Sequence, residues 1–281
     1  MPIELTDLSF TYAQGTPWQV KALNQLNLTI ADGEFIGIIG KTGCGKTTLI
    51  QIIAGLMKPT TGSVSIDGQI FFSAKTDRSE LSKKIGVLFQ NPEIQLFETT
   101  VEKDVAFALK HAFLTSSQVK EQVRWALETV GLDYEKFKDL PPLSLSGGEM
   151  RRVAVAGVLV IKPEILILDE PIAGLDPKSQ DGFLKLLDRF NANGTTIIMI
   201  SHNLDALAEH TRRILVLEDG SLIRDASTRE VLTDSLFLKK HELGSTQVGQ
   251  ITAGLNNCNL NIPTPPLTEQ ELCAVLFEVL S

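Results

Sequence analysis

Two apolar stretches of this 281-residue chain, Phe35 to Ile39 and the helix-like Leu49 to Met57, are joined by Gly40-Lys41-Thr42-Gly43-Cys44-Gly45-Lys46-Thr47-Thr48. Glycines so placed let a backbone curl until several N–H groups point the same way, and a helix opening adds partial positive charge. Such a cradle suits the phosphates of a nucleoside triphosphate. Lys46 would then reach the β- and γ-phosphates, and the Thr47 hydroxyl offers a ligand for magnesium (Mg2+). The pattern is G-x-x-x-x-G-K-[ST] between a strand and a helix, the setting it requires. Without that setting it would be a turn that merely connects the two.

A second acid-bearing site follows Ile165-Leu166-Ile167-Leu168, where the aliphatic run ends in Asp169-Glu170, 123 residues after Lys46. Charge at the end of a buried strand needs a partner. Asp169 is placed to hold hydrated magnesium, and Glu170 to polarise an attacking water. The plainer alternative is a strand end capped by solvated acids.

Leu145-Ser146-Gly147-Gly148-Glu149-Met150-Arg151-Arg152 begins another helix, with Ser146 lying 23 residues before Asp169. Ser146, Gly147 and Gly148 repeat the cradle logic of exposed N–H groups, a helix dipole and a hydroxyl. With this segment the sequence resembles the ATP-binding-cassette ATPases, whose signature is LSGG followed by Gln or Glu. The resemblance implies a head-to-tail dimer in which each ATP is held by one subunit's phosphate loop and the other's signature. It also implies that Tyr12 stacks on adenine, although Tyr12 could equally pack on a strand face. Gln90 resembles the glutamine that senses magnesium and the attacking water. Asp176, in Ala173-Gly174-Leu175-Asp176, belongs to a loop that crosses the dimer seam. His202 resembles the switch histidine on the γ-phosphate. Catalysis would thus rest on Glu170, His202, Gln90 and Lys46, and the metal on Thr47, Gln90 and Asp169.

The segments Gln90 to Phe97, Met150 to Gly157 and Asp169 to Pro177 resemble the ATPase subunits of energy-coupling factor transporters, with Met-Arg-Arg closer to the second of two paralogues. That implies a second ATPase as partner in a heterodimer, a transmembrane coupling protein, and a membrane-embedded subunit that binds vitamins or other micronutrients. The chain would lie on the cytoplasmic face of the membrane as a peripheral protein. Gln90 to Phe97 and the helices of 101–130 would form the docking surface, with Glu93 and Glu98 either contacting basic residues there or remaining solvated. Four positions depart from the family. Lys41 and Cys44 stand where His and Ser are commoner, so that a thiol lies beside the phosphates. Thr47 replaces Ser but keeps the hydroxyl. Ile172 stands where Thr is usual. Other readings are the ATPase of a different transporter type, such as an exporter or metal importer, and a soluble cassette protein of repair or translation. Only 56 residues separate Gln90 from Ser146, too few for the coiled coil of the repair type, and the translation type needs two cassettes.

These residues demand a scaffold that gathers loop ends. The dense runs Phe35 to Ile39, Ile85 to Phe89, Ile165 to Leu168 and Thr195 to Ile200 suit buried parallel strands, while residues 3–12, 23–30 and 62–68 alternate or sit between glycines. Val105, Leu109, Val123, Leu127 and Val130 fall at helical spacing. The expected class is α/β: a P-loop NTPase core with a mostly parallel sheet, an antiparallel β subdomain, an inserted helical subdomain over about 92–160, and a small C-terminal helical extension. The nucleotide-binding domain would span 1–235 and the extension 236–281, which would contact the other ATPase. Asn256-Asn257 and Pro263 to Pro266 read as linker, and Thr268 with Glu271 as a capping box opening a last helix. A net charge of −8 argues against nucleic acid as a partner. Cys44, Cys258 and Cys273 form no metal or disulfide pattern and fit a reducing compartment. No apolar run approaches the roughly 18 residues of a membrane span.

Overall fold

The computed structural model describes residues 1–73, 80, 81, 83–110, 112–257, 262 and 265–280, with backbone alone for 278–280. Two sheets organise it. Strands β1 (Ile3–Tyr12), β2 (Val20–Ile30), β4 (Thr61–Ile66) and β5 (Gln69–Ile70) form an antiparallel sheet in the order β2-β1-β4-β5. The second sheet comprises β3 (Phe35–Ile39), β6 (Ile85–Leu88), β7 (Ile165–Asp169), β8 (Thr196–Ile200), β9 (Arg213–Glu218) and β10 (Ser221–Ser227). Its order is β10-β9-β3-β8-β7-β6, parallel throughout except for the β9–β10 pair.

Every residue of β3, β7 and β8 is buried, because both faces of this sheet are covered. Alternation along each strand divides the side chains between two cores. Ile36, Ile38, Ile165, Ile167, Ile198 and Ile200 face the antiparallel sheet and helix Lys46–Ile53. Phe35, Ile39, Leu166, Leu168, Ile197 and Met199 face the other helices. At about 2 kcal/mol for each fully buried aliphatic side chain, the sheet is a rigid platform for the loops at its carboxyl edge.

The inserted region contains Val101–Ala106, Ser116–Thr129, Tyr134–Phe137 and Gly147–Leu159. Helix Gly147–Leu159 lies between the rest of the insertion and the sheet, packing on Val101–Ala106 and Ser116–Thr129 and on β6. Ile172 is 2% exposed within this core, which accounts for an aliphatic residue at that position.

Three features differ from the sequence reading. Asn256 and Asn257 close helix Gln247–Asn257 rather than forming linker, and the Asn256 side chain accepts the Ile262 N–H at 3.0 Å. Thr268 accepts the Glu271 N–H, but the Glu271 carboxylate takes the Leu267 N–H at 2.8 Å, one residue earlier than a capping box requires. The β9–β10 hairpin was not anticipated. Its Asp219-Gly220 turn has φ of 47° and 75°, the double positive pair that twists with the strands. Cys258, Pro263 and Thr264 lie outside the described residues.

Candidate functional site

The carboxyl ends of four parallel strands converge. β3 leads into Gly40–Thr48, β6 into Gln90, β7 into Glu170 and β8 into His202. In open α/β sheets ligands bind at that edge. Here a cavity of 510 Å³ is lined by Thr42, Gly43, Gly45, Lys46, Thr47, Thr48, Gln90, Asp169, Glu170 and His202, with Tyr12 at its margin. Gly45 has φ of 106°, and an added Cβ would stand 2.5 Å from the Ala22 carbonyl, so both conformation and space require glycine there. No side chain caps helix Lys46–Ile53 at this end, and its first turn carries no acid. That leaves its first N–H groups and its dipole turned toward the cavity.

Lys46 is 8% exposed, and its ammonium donates to the Gly40 and Lys41 carbonyls at 2.6 and 2.9 Å. The Thr47 hydroxyl donates to Asp169 Oδ2 at 3.0 Å. Burial pushes the Asp169 carboxyl up, partly offset by the Thr47 bond and the Lys46 charge. Burial likewise raises the Glu170 carboxyl, against the opposing pull of His202. The His202 N–H donates to Glu170 Oε2 at 3.3 Å, while Glu170 Oε1, buried, has no hydrogen bond among the described residues and lies 3.6 Å from His202 Nε2. A buried carboxylate oxygen left open beside a histidine is poised to accept from a bound water. The Tyr12 hydroxyl shares a hydrogen bond with Thr48 at 2.9 Å and the ring meets Phe10 edge-on, leaving Tyr12 40% exposed.

Seven of the expected residues do not line this cavity: Gly40, Lys41, Cys44, Ser146, Gly147, Gly148 and Asp176. Gly40 and Cys44 face inward. Cys44 is 6% exposed, would be 2.7 Å from a Cβ at Gly40 and lies 3.9 Å from the Lys46 ammonium, so the thiol packs against the loop and the lysine, and burial raises its pKa. Lys41 pairs with Glu242 at 2.6 Å. Ser146 caps helix Gly147–Leu159 in a reciprocal box with Glu149, and Asp176 caps helix Pro177–Ala192. An added Cβ at Gly147 or Gly148 would find nothing within 4 Å. Residues 23–173 match the ABC transporter family.

The chain belongs to that family. Its relatives include the energy-coupling factor transporter ATP-binding protein EcfA2 of Clostridium tetani, 41% identical over 99% of this chain and 97% of that one. The protein of the same name from Enterococcus faecalis is 39% identical, again over 99% and 97%. A solved structure of cbiO1 from Clostridium perfringens, part of the ABC transporter complex cbiONQ, aligns with a TM-score of 0.74 at 34% identity, over 89% of this chain and 98% of that one. A dimeric ATP-binding cassette in a post-hydrolysis state bound to ADP and phosphate gives 0.71 at 32% identity, over 81% and 99%.

Within this cassette, sequence reasoning missed Val20, Lys21, Ala22, Ile200, Asp219 and Gly220, which complete the lining of the cavity. The Gly220 N–H donates to the Cys44 carbonyl at 3.0 Å, so the hairpin turn braces the phosphate loop from behind. The Asp-Gly pair signals a turn between strands, but nothing local places that turn here. Glu93 and Glu98 are both partly buried. Glu98 pairs with Lys110 at 3.3 Å, and Glu93 Oε2 is buried without a hydrogen bond among the described residues. Among the described residues no helix is long and apolar enough to cross a membrane.

Proposed function

We propose that this chain binds and hydrolyses ATP as an ATPase subunit of an energy-coupling factor importer, powering uptake of a vitamin or other micronutrient. One observation carries the reading: the cavity is lined by Lys46, the Thr47–Asp169 pair and Glu170, one of whose oxygens is buried without a hydrogen bond among the described residues. The hydroxyl and carboxylate are hard oxygen donors that suit Mg2+ completed by phosphate oxygens and water, with Gln90 on the same lining. Bound there, the metal would neutralise charge gathering on the transferred phosphoryl group. The loop amides and Lys46 hold the triphosphate, Tyr12 takes the base, and Glu170 accepts a proton from the attacking water. His202 orients that water and contacts the terminal phosphate.

Ser146, Gly147, Gly148 and Asp176 would serve the nucleotide of a second ATPase subunit, taken to be a paralogue, across a head-to-tail seam. Their position outside this chain's own cavity supports that assignment, as does the dimeric form of a similar cassette. The strongly exposed Ile94 and Phe97, after Gln90, suit contact with a transmembrane coupling protein, which would carry a membrane-embedded substrate-binding subunit. The chain would then be peripheral, on the cytoplasmic face.

Glu170→Gln tests the reading. ATP affinity is expected to stay within a few-fold, turnover to fall at least about a hundredfold, and a closed dimer to accumulate with ATP on size exclusion. Near-normal hydrolysis by an assembly carrying Gln at this glutamate and at its counterpart in the second ATPase would overturn the assignment of the base.

A further inference from the structure

Helix Gly147–Leu159 carries a second polar device, which reaches back into its own chain. The Arg151 guanidinium donates through Nη1 to the Ala173 carbonyl at 2.9 Å, and through Nη2 to the Glu170 carbonyl at 3.1 Å and to the Pro171 carbonyl. One planar fork thus gathers three carbonyls of the turn that begins at the end of β7. A guanidinium is suited to this, since its donors are fixed in direction, whereas an ammonium is a single point.

That turn needs holding. Glu170 has φ of 50°, in the left-handed region that a residue with a Cβ enters at a cost of about 1–2 kcal/mol. Such a conformation persists only where the surroundings over-determine it. From the β8 side, Glu170 donates its own N–H to the Ile200 carbonyl at 3.0 Å. From the opposite side Arg151 takes the carbonyls. Its partners include no cavity-lining side chain, and Arg151 itself does not line the cavity. Glu93, in the 3₁₀ turn Pro92–Gln95 that follows Gln90, is the carboxylate whose charge acts on Arg151.

We infer that Arg151 is a positioning residue for hydrolysis. By clamping the carbonyls of Glu170, Pro171 and Ala173 it fixes the direction of the Glu170 carboxylate, and it ties that setting to the helix that begins with Ser146. The inference rests on Glu170 acting as the base. It follows that a substitution far from the nucleotide lowers the chemical step and not the affinity.

The test uses the full chain assembled with its second ATPase and membrane partners. Steady-state ATP hydrolysis gives kcat and KM, and a fluorescent ATP analogue gives Kd. The span between wild type and Glu170→Gln sets the scale. Arg151→Met is expected to remove at least three-quarters of that span while KM and Kd stay within twofold. Arg151→Lys, which keeps the charge but not the fork, is expected to restore the melting temperature and less than half of the lost turnover. Turnover above half of the span in Arg151→Met overturns the inference. So does nucleotide affinity falling in step with turnover, or full recovery by Arg151→Lys. Loss of turnover in neither Glu170→Gln nor Arg151→Met would instead strike at the base itself.

Discussion

At the scale of single residues, Glu170 is held in a costly state. It is 9% exposed, has a left-handed backbone, and keeps one carboxylate oxygen without a bond among the described residues. Burial lifts its carboxyl above the ordinary range, so the ionised form is disfavoured by folding. The sign follows from linkage. The penalty is absent below the unfolded pKa of about 4.3, grows as pH rises toward the folded value, and is constant above it. Glu170→Gln should therefore stabilise the nucleotide-free chain at pH 8, because it removes a charge that burial disfavours. The gain should vanish near pH 4. Melting curves at the two pH values measure it, and a larger gain in acid would contradict the account. The placement of Glu170, Lys46 and Thr47 at the cavity was legible in the sequence because it depends on spacing within one loop or at one strand end. The inward turn of Cys44, the Glu98–Lys110 pair and the reach of Arg151 to carbonyls some twenty residues on were not. Each depends on tertiary packing that no local pattern encodes: Cys44 on the core beneath the antiparallel sheet, the Glu98–Lys110 pair on the folding of the insertion, and Arg151 on how its helix returns to the sheet.

Elements are legible to the degree that their periodicity is undiluted. β3, β7 and β8 are wholly buried aliphatic runs, and their registers bring Asp169 opposite Ile200 and Ile38 opposite the same residue. That alignment sets Thr47 and Asp169 within one hydrogen bond. Helix Gln247–Asn257 escaped notice because its residues are weakly amphipathic and polar at the end, and its start is held from elsewhere, by Asp205 accepting the Gln247 N–H at 2.8 Å. Helix starts also separate local from remote roles. Asp176 accepts from the Ser179 N–H and hydroxyl, and these bonds hold its carboxyl below the usual range. A serine or asparagine can make the same cap, whereas alanine cannot. Asp176→Ala should lower the melting temperature of the isolated chain, and Asp176→Ser should leave it near wild type. If the carboxylate acts across a seam, both should lower turnover of the assembly equally. Full turnover in Asp176→Ser would confine the residue to capping.

For the whole molecule the question is why glycines occupy two positions that its own fold leaves free. Gly147 and Gly148 lie in the first turn of helix Gly147–Leu159 without a positive φ, and a methyl group at either meets nothing within 4 Å among the described residues. Intramolecular packing would accept alanine there, and helix propensity would favour it by up to about 1 kcal/mol. On the proposed reading, a second subunit excludes the side chain. A phosphate approaching the helix start from a second subunit needs the same close backbone access that Gly45 provides on this chain's own loop. Gly148→Ala should therefore stabilise the isolated chain slightly against denaturant and leave nucleotide affinity of its own cavity unchanged, because Gly148 does not line it. Turnover of the assembled complex should nevertheless fall about tenfold, the factor that 1.4 kcal/mol of lost transition-state contact produces. Stability and activity moving in opposite directions is the signature of a residue kept for a neighbour. Turnover preserved in Gly148→Ala, with the stability gain intact, would mean that no second molecule uses this surface, and the composite site would have to be abandoned.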